Sequence, residues 1–315
     1  MKVIIIDALN MFLRSYVVIP SMDKKGRPIG GCIGFLKSLQ KVCRMYSPNE
    51  IVICWDGEGG SKKKKKLKKD YKAGRKPIRF NRRMIELPPE QQEQNKIYQQ
   101  IRLFAYLNEM PVIQITMEGV EADDIISKVA RHKRYEDWEK IIVSSDKDFF
   151  QLCDEKTTIY RPIQKTTMTL ETLIEKDSIH PNNYAIARAL DGDKSDNLPG
   201  IKGIGMKTVA KHFPFLKEAK QYDTDFIIKA CEDVDKKLKC HRSIIAERET
   251  FQLNYDMMQL YKPMLTNRQI DIVDYSIDNF EPTLNKINIL KMLSEDGKTS
   301  LDLNTLYKCL KKIKR

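Results

Sequence analysis

Histidine is scarce, with four in 315 residues, and the seven cysteines at positions 32, 43, 54, 153, 231, 240 and 309 form no CxxC pair. A zinc ribbon or a disulfide framework therefore has no support, and an odd, scattered set of thiols fits a reducing compartment. His132, His180, His212 and His241 lack metal-ligand spacing, and Cys240 directly precedes His241, so these read as structural or surface groups. Long apolar runs are also missing. Val3 to Ile6 and Ile51 to Trp55 fall far short of a bilayer span, and the short apolar stretch between Lys2 and Asp7 is too brief for a secretory signal. No nucleophilic serine or cysteine arrangement and no long internal repeat stands out. With 41% hydrophobic residues, however, the chain can bury a sizeable core, which excludes wholesale disorder.

What is abundant is positive charge in one place. The balance of 56 basic and 43 acidic residues is +13, yet Lys62 to Arg83 alone holds thirteen Lys or Arg against the single acid Asp70, a local +12. A charge so concentrated is what a phosphate-contacting element requires, the bland alternative being a solvated loop. A smaller cluster, Lys308, Lys311, Lys312, Lys314 and Arg315, ends the sequence and is expected to meet DNA or a replication partner.

Continuous β-branched runs predict buried strands over Lys2 to Ile6, Ile51 to Trp55, Pro111 to Ile115 and Lys140 to Ser144. Helical spacing predicts helices over Gly34 to Met45, Asn95 to Asn108 and Glu121 to His132. Alternation of this kind implies an α/β fold with a mostly parallel central sheet flanked by helices, followed from about residue 179 by a helical subdomain. In such sheets ligands bind beyond the strand C-terminal ends, where Asp7, Asp56, Asp146 and Asp148 fall. Together with Glu121, Asp123, Asp124, Asp193 and Asp196 they make nine carboxylates. Gathered in one crevice, these would repel one another strongly unless protons or cations were bound. Oxygen ligands without a His or Cys cluster suit two Mg²⁺ or Mn²⁺ ions, the arrangement that serves phosphodiester hydrolysis.

Gly200 to Thr208, GIKGIGMKT, imitates a nucleotide-binding P-loop, but Met206 separates the glycine from Lys207 and no strand precedes it. It reads instead as a glycine hairpin between two short helices, whose backbone N–H groups, with Lys202, Lys207 and Thr208 beside them, can hold duplex phosphates. A haloacid-dehalogenase-like phosphatase would need an acid at Leu9.

IIIDALN around Asp7, KGRPIGGCIGFLKSL from Lys25, WDG around Asp56, YKAGR from Tyr71, EADD from Glu121, SSDKDFFQL from Ser144 and GDKSDNLPGIKGIGMKT from Gly192 follow one another in order. In this the chain resembles the 5′-nuclease family: phage flap endonucleases, ribonuclease H type 5′-3′ exonucleases and the N-terminal domain of bacterial DNA polymerase I. The resemblance spans roughly residues 1 to 212. It implies a PIN-like catalytic domain over 1–178 with a helical arch at about 59–95, then a subdomain over 179–315 with a helix-hairpin-helix at about 184–212. Asp7, Asp56, Glu121 and Asp123 match the ligands of a first metal. Asp146, Asp148 and Asp193 match those of a second, with Asp124 and Asp196 in an outer acidic set. Tyr71, Lys72 and Arg75 match the arch base, where Lys72 would contact the scissile phosphate. The hairpin residues Lys202, Gly203, Gly205, Lys207 and Thr208 match a duplex grip that in relatives also holds K⁺. The implied protein is a monomeric, stand-alone nuclease in the cytoplasm of a bacterial or phage-infected cell. It would act on flap, nicked or branched DNA and RNA/DNA hybrid to remove RNA primers and flaps. The rival reading is a non-catalytic relative that binds branched DNA.

Overall fold

The computed structural model describes residues 1–75, 80, 87–235, 237–298, 301 and 303–312. Its first half runs β1 (Lys2–Asp7), α1 (Ala8–Val18), α2 (Gly30–Tyr46), β2 (Glu50–Cys54), α3 (Lys62–Leu67), α4 (Pro89–Asn108), β3 (Ile113–Ile115), α5 (Ala122–Ala130), β4 (Glu139–Val143), β5 (Thr157–Arg161) and β6 (Thr166–Met168). The strands form one sheet in the order β3-β2-β1-β4-β5-β6, parallel except for the β5–β6 pair at one edge. The chain leaves β1 toward β2 on one side and later occupies β4 on the other. A crevice therefore opens beyond the C-terminal ends of β1 and β4.

Strands buried on both faces need apolar residues at every position. Val3, Ile5, Val52, Cys54, Ile113, Ile142 and Ile159 enter one core with α5 and the later helices, while Ile4, Ile6, Ile51, Ile53, Ile141 and Val143 enter a second core with α1, α2 and α4. The sequence expectation omitted α1, β5 and β6. It also started α4 late: the helix begins at Pro89, where a proline at the first helical position has no N–H to lose. Of the stretch expected to form an arch, which includes the basic segment, residues 76–79 and 81–86 lie outside the described residues.

The second half is helical: α6 (Leu170–Asp177), α7 (Tyr184–Asp191), α8 (Met206–His212), α9 (Thr224–Glu232), α10 (Lys239–Ala246), α11 (Arg248–Met258), α12 (Asn267–Asp278), α13 (Lys286–Glu295) and α14 (Asn304–Leu310). A two-residue ladder, β7 (Gly192–Asp193) with β8 (Leu198–Pro199), closes the hairpin between α7 and α8. Helices α13 and α14 return to the second core, where Ile289, Leu293, Leu306 and Leu310 join Phe35 and Leu39 of α2. Asp296, just beyond α13, accepts hydrogen bonds from Arg102 Nε at 2.9 Å and Tyr106 OH at 2.7 Å on α4. Among the described residues no helix is long and apolar enough to cross a membrane.

Helix α1 carries Leu9, Asn10 and Leu13 of the crevice lining, and α2 holds it in place by close approach. A Cβ on Gly34 would stand 2.4 Å from Ser15 Cβ and 2.5 Å from Ile19 Cδ1. Gly34→Ala should therefore force the helices apart, with a net loss of about 2 kcal/mol after overpacking is set against the gain in helix propensity. Urea unfolding would register this as a lower midpoint at unchanged slope, and an unshifted midpoint would show that α1 and α2 can part without cost.

Candidate active site

Seven of the nine carboxylates, Asp7, Asp56, Asp123, Asp146, Asp148, Asp193 and Asp196, line one cavity of about 180 Å³ together with Lys64, Lys72 and Arg75. Each arrives by a short structural route. Asp7 ends β1 and caps α1, accepting from the Asn10 N–H at 3.1 Å, and the Ser144 hydroxyl beyond β4 donates to its other oxygen at 2.8 Å. Asp56 follows β2 and accepts from the Ala122 N–H at 3.0 Å, which couples it to the start of α5. Only glycine suits position 57, since a Cβ there would lie 1.6 Å from the Met117 carbonyl oxygen. Asp123 and Asp124 occupy the first turn of α5, where the helix dipole favours acids. Asp146 accepts from the Asp148 N–H at 2.9 Å in the loop after β4.

Two predicted residues point elsewhere. Asp124 is buried and accepts from the Met264 N–H at 2.8 Å, outside the cavity lining. Glu121 lies beside the cavity, where Lys64 Nζ meets one carboxylate oxygen at 2.7 Å and Lys72 Nζ the other at 2.6 Å, with the Ser61 hydroxyl donating at 2.7 Å. The segment expected to form the arch base is thus fastened to the acidic set. Tyr71 is buried against Leu198, Met257 and Met258. Lys72 adopts φ +56° and donates its N–H to the Asp196 carbonyl at 3.1 Å. Arg75 pairs with the Asp196 carboxylate and donates to the Ser195 carbonyl at 3.1 Å.

Sequence reasoning missed Lys64, Ser144 and Arg188. Lys64 belongs to a lysine run that looks uniformly solvated, yet it is 6% exposed. Arg188 on α7 bridges Asp148 at 3.1 Å and Asp193 at 2.7 Å while donating to the Gly192 carbonyl at 3.1 Å. Its signal was available: a lone charge within the apolar run YAIARAL. In the hairpin, Gly192 (φ +80°) lets the chain turn where a Cβ would collide with the Gly200 backbone. Ile201, Ile204 and Val209 anchor the turn in the first core, leaving Lys202, Gly203 and Lys207 exposed and Gly205 and Thr208 half-buried.

The electrostatics follow from burial. Desolvation, with the charge of Asp56 added, pushes the Asp7 carboxyl up to about 7. Burial and Asp146 raise Asp148 to about 6 against the pull of Arg188, and burial and Asp146 likewise raise Asp123. Asp56 is also raised, chiefly by burial. Glu121 goes the other way: burial opposes its charge, but Lys64 and Lys72 hold it down to about 2. For Asp193, burial is outweighed by the hydrogen bonds from Ser195 and by Arg188, so its carboxyl lies below the usual range. An oxygen-only donor set whose members resist ionising together fits hard divalent cations.

The family described as 5′-3′ exonuclease, N-terminal resolvase-like domain, matches residues 2–178. The chain belongs to this 5′-3′ exonuclease family. A 5′-3′ exonuclease of Aquifex aeolicus is 28% identical over 313 residues, covering 99% of this chain and 96% of the relative. That of Buchnera aphidicola is 32% identical over 211 residues, 65% of this chain and 67% of the relative. DNA polymerase I of Borreliella burgdorferi is 28% identical over 328 residues, and the chain spans only 32% of that protein. Among solved structures, T5 5′-exonuclease with bound zinc shares the fold at a TM-score of 0.66 and 16% identity, covering 95% of this chain and 100% of that one. Human GEN1 with Holliday junction DNA does so at 0.59 and 13%, covering 99% and 71%. The exonuclease fold expected from the motifs is thereby shown.

The raised carboxyls set a pH dependence for protein freed of divalent ions. Folded, Asp7 and Asp148 keep protons up to about 7 and 6, whereas unfolded they release them near 3.8. The folded state binds more protons between those limits, so the contribution of these two groups to stability declines as pH rises from 4 to 7. Asp7→Asn keeps a cap acceptor and removes this burden. In chelator its Tm at pH 8 should exceed that of the unsubstituted chain, by about 1–3 kcal/mol of stability, with a shallower decline across that range. A lower Tm at pH 8 would mean that Asp7 is ionised and stabilising as it stands.

Proposed function

We propose that the chain is a divalent-metal-dependent, structure-specific 5′ nuclease that hydrolyses phosphodiesters near the 5′ ends of flap, nicked or branched DNA and of RNA/DNA hybrid, removing primers and flaps in replication. The observation that carries it is the cavity itself: carboxylates from three strand ends, a helix start and a hairpin converge beneath a basic segment. Asp7, Asp56 and Asp123 would hold one ion, joined by Glu121 once it gives up its pairing with Lys64 and Lys72, and Asp146, Asp148 and Asp193 would hold the other. Mg²⁺ or Mn²⁺ suits these donors. Two such ions supply activation of the attacking water and neutralisation of the leaving oxygen. Lys72 and Arg75 line the same cavity and offset charge on the phosphate. The exposed hairpin groups grip duplex phosphates, and a backbone carbonyl there is the natural seat for K⁺. Because phosphate contacts carry no base information, selection is by shape.

The deciding assay offers a 5′-labelled flap, a nicked duplex, an RNA/DNA hybrid and single-stranded RNA, each with Mg²⁺, with Mn²⁺ and with chelator. Product from the branched and nicked substrates in metal alone is expected, and binding without product would return the chain to the non-catalytic reading. Asp146→Asn should lower turnover on the order of 10³-fold while flap binding changes little; near-normal turnover would remove Asp146 from the mechanism.

The lysine run divides into two classes. Lys64 is buried on Glu121, and Lys63 donates to the Met264 carbonyl at 2.5 Å and to Gln269 Oε1 at 2.9 Å, whereas Lys62, Lys65 and Lys66 are exposed. Converting the exposed three to Gln should flatten the salt dependence of DNA affinity by about one unit of log–log slope per lysine. An unchanged slope would make the run a solvated surface.

A further inference from the structure

We propose that His212, Cys240 and His241 form a second metal centre, selective for Zn²⁺ over the hard ions suited to the acidic cavity, that ties the second helix of the glycine hairpin to α10. One donor atom from each residue lies within 4.8 Å of the other two. None of the three lines the acidic cavity. His212 ends α8, and Cys240 and His241 stand in the first turn of α10, so the fold joins residues that sequence spacing keeps apart. Zinc bound at roughly 2.0–2.3 Å holds tetrahedral donors roughly 3.3–3.8 Å from one another. The side chains therefore need to close by about an ångström, within reach of χ rotation.

A separate observation points to a ligand. His241 is 6% exposed, yet its Nδ1 has no hydrogen-bond partner among the described residues. Buried polar atoms are rarely left so. The His212 ring stands edge-on to it, centroids 6.0 Å apart, and Phe213 walls the pair at 6.1 Å. Two imidazoles and a thiol are borderline-soft donors that prefer Zn²⁺ to Mg²⁺, whereas the carboxylate cavity has the opposite preference. Cys240 gives up its proton on binding, and water completes the fourth position. The clip would fix α8, which carries Lys207 and Thr208, against α10. Its role is to position the duplex grip and not to cleave.

Cobalt distinguishes the two sites, because only a thiolate ligand gives a cobalt charge-transfer band in the near ultraviolet. Titrating the full chain with Co²⁺ should develop that band at one equivalent, and Zn²⁺ should abolish it. Cys240→Ser should lose the band, His212→Gln should weaken apparent affinity about tenfold or more, and Asp146→Asn should retain the band. The absence of a band in the unsubstituted chain, its survival in Cys240→Ser, or a His212→Gln titration matching the unsubstituted chain would overturn the proposal. Independently of any variant, one equivalent of Zn²⁺ should slow alkylation of Cys240 about tenfold, as read by peptide mass; an unaltered rate would also overturn it.

Discussion

Mutual repulsion among carboxylates withdrawn from water is the constraint around which this molecule is arranged. In water such groups would drift apart at little cost, but in a partly buried cavity each pair interacts several-fold more strongly. The fold opposes the drift by attaching the acids to the end of β1, the segments just after β2 and β4 and the first turn of α5. It then divides the excess charge two ways. Lys64, Lys72 and Arg188 neutralise Glu121, Asp148 and Asp193 from neighbouring segments, while Asp7 and Asp123 relieve the rest by holding protons above their ordinary range. A cation entering such a site displaces protons and relieves repulsion together, so its affinity is built from strain already present.

Opposite charge is placed with the same economy. One lysine run does two unlike tasks because its helix presents two faces: Lys64 turns inward to Glu121, and Lys62, Lys65 and Lys66 turn out to solvent. The following turn is strapped to the hairpin, with Asn197 Nδ2 donating to the Asp70 and Ala73 carbonyls at 2.8 and 2.7 Å. The basic segment is therefore held at its root by the acidic site and the hairpin at once. Any displacement of Lys72 toward a phosphate must exchange its pairing with Glu121, which links substrate engagement to the charge state of the site.

Much of this was legible in the sequence, for physical reasons that also explain what was not. Continuous β-branched runs gave β1, β2 and β4, because strands covered on both faces are filled mostly by apolar side chains. An acid directly after each gave the rim, since a parallel sheet sends all its strand ends one way. β6 was invisible: its pattern TTM is short and exposed at two of three positions. Helix α1 was overlooked although Asp7, whose side chain accepts from the Asn10 N–H, is its N-cap. Lys64 and Arg188 were hidden by a general limit. Charge in a sequence says how much, whereas burial decides which charge is a partner and which is a surface. His212 with Cys240 and His241 shows the same limit at longer range, since a spacing rule finds ligands that share one loop and misses those joined by packing.

The position of the glycine hairpin is the last consequence of that packing. Had the hairpin hung from a linker, its distance to the acids would fluctuate with the linker, and a shape-selective cut would blur. Here one core runs from Ile5 and Ile142 of the sheet through Ile125 of α5 to Ile186 and Leu190 of α7, Val209 of α8 and Phe251 of α11. Asn254 on α11 donates to the Ala189 and Pro199 carbonyls on both sides of the hairpin at 3.0 and 2.7 Å, and Gln151 beside the Asp146–Asp148 loop donates to the Met258 carbonyl at 3.0 Å. Close-packed interiors transmit displacement instead of absorbing it. On the proposed function, the hairpin that would meet the duplex and the carboxylates that would meet the scissile bond are joined through this one core, so the distance between them, and no reading of bases, would set where along a branched substrate the strand is cut.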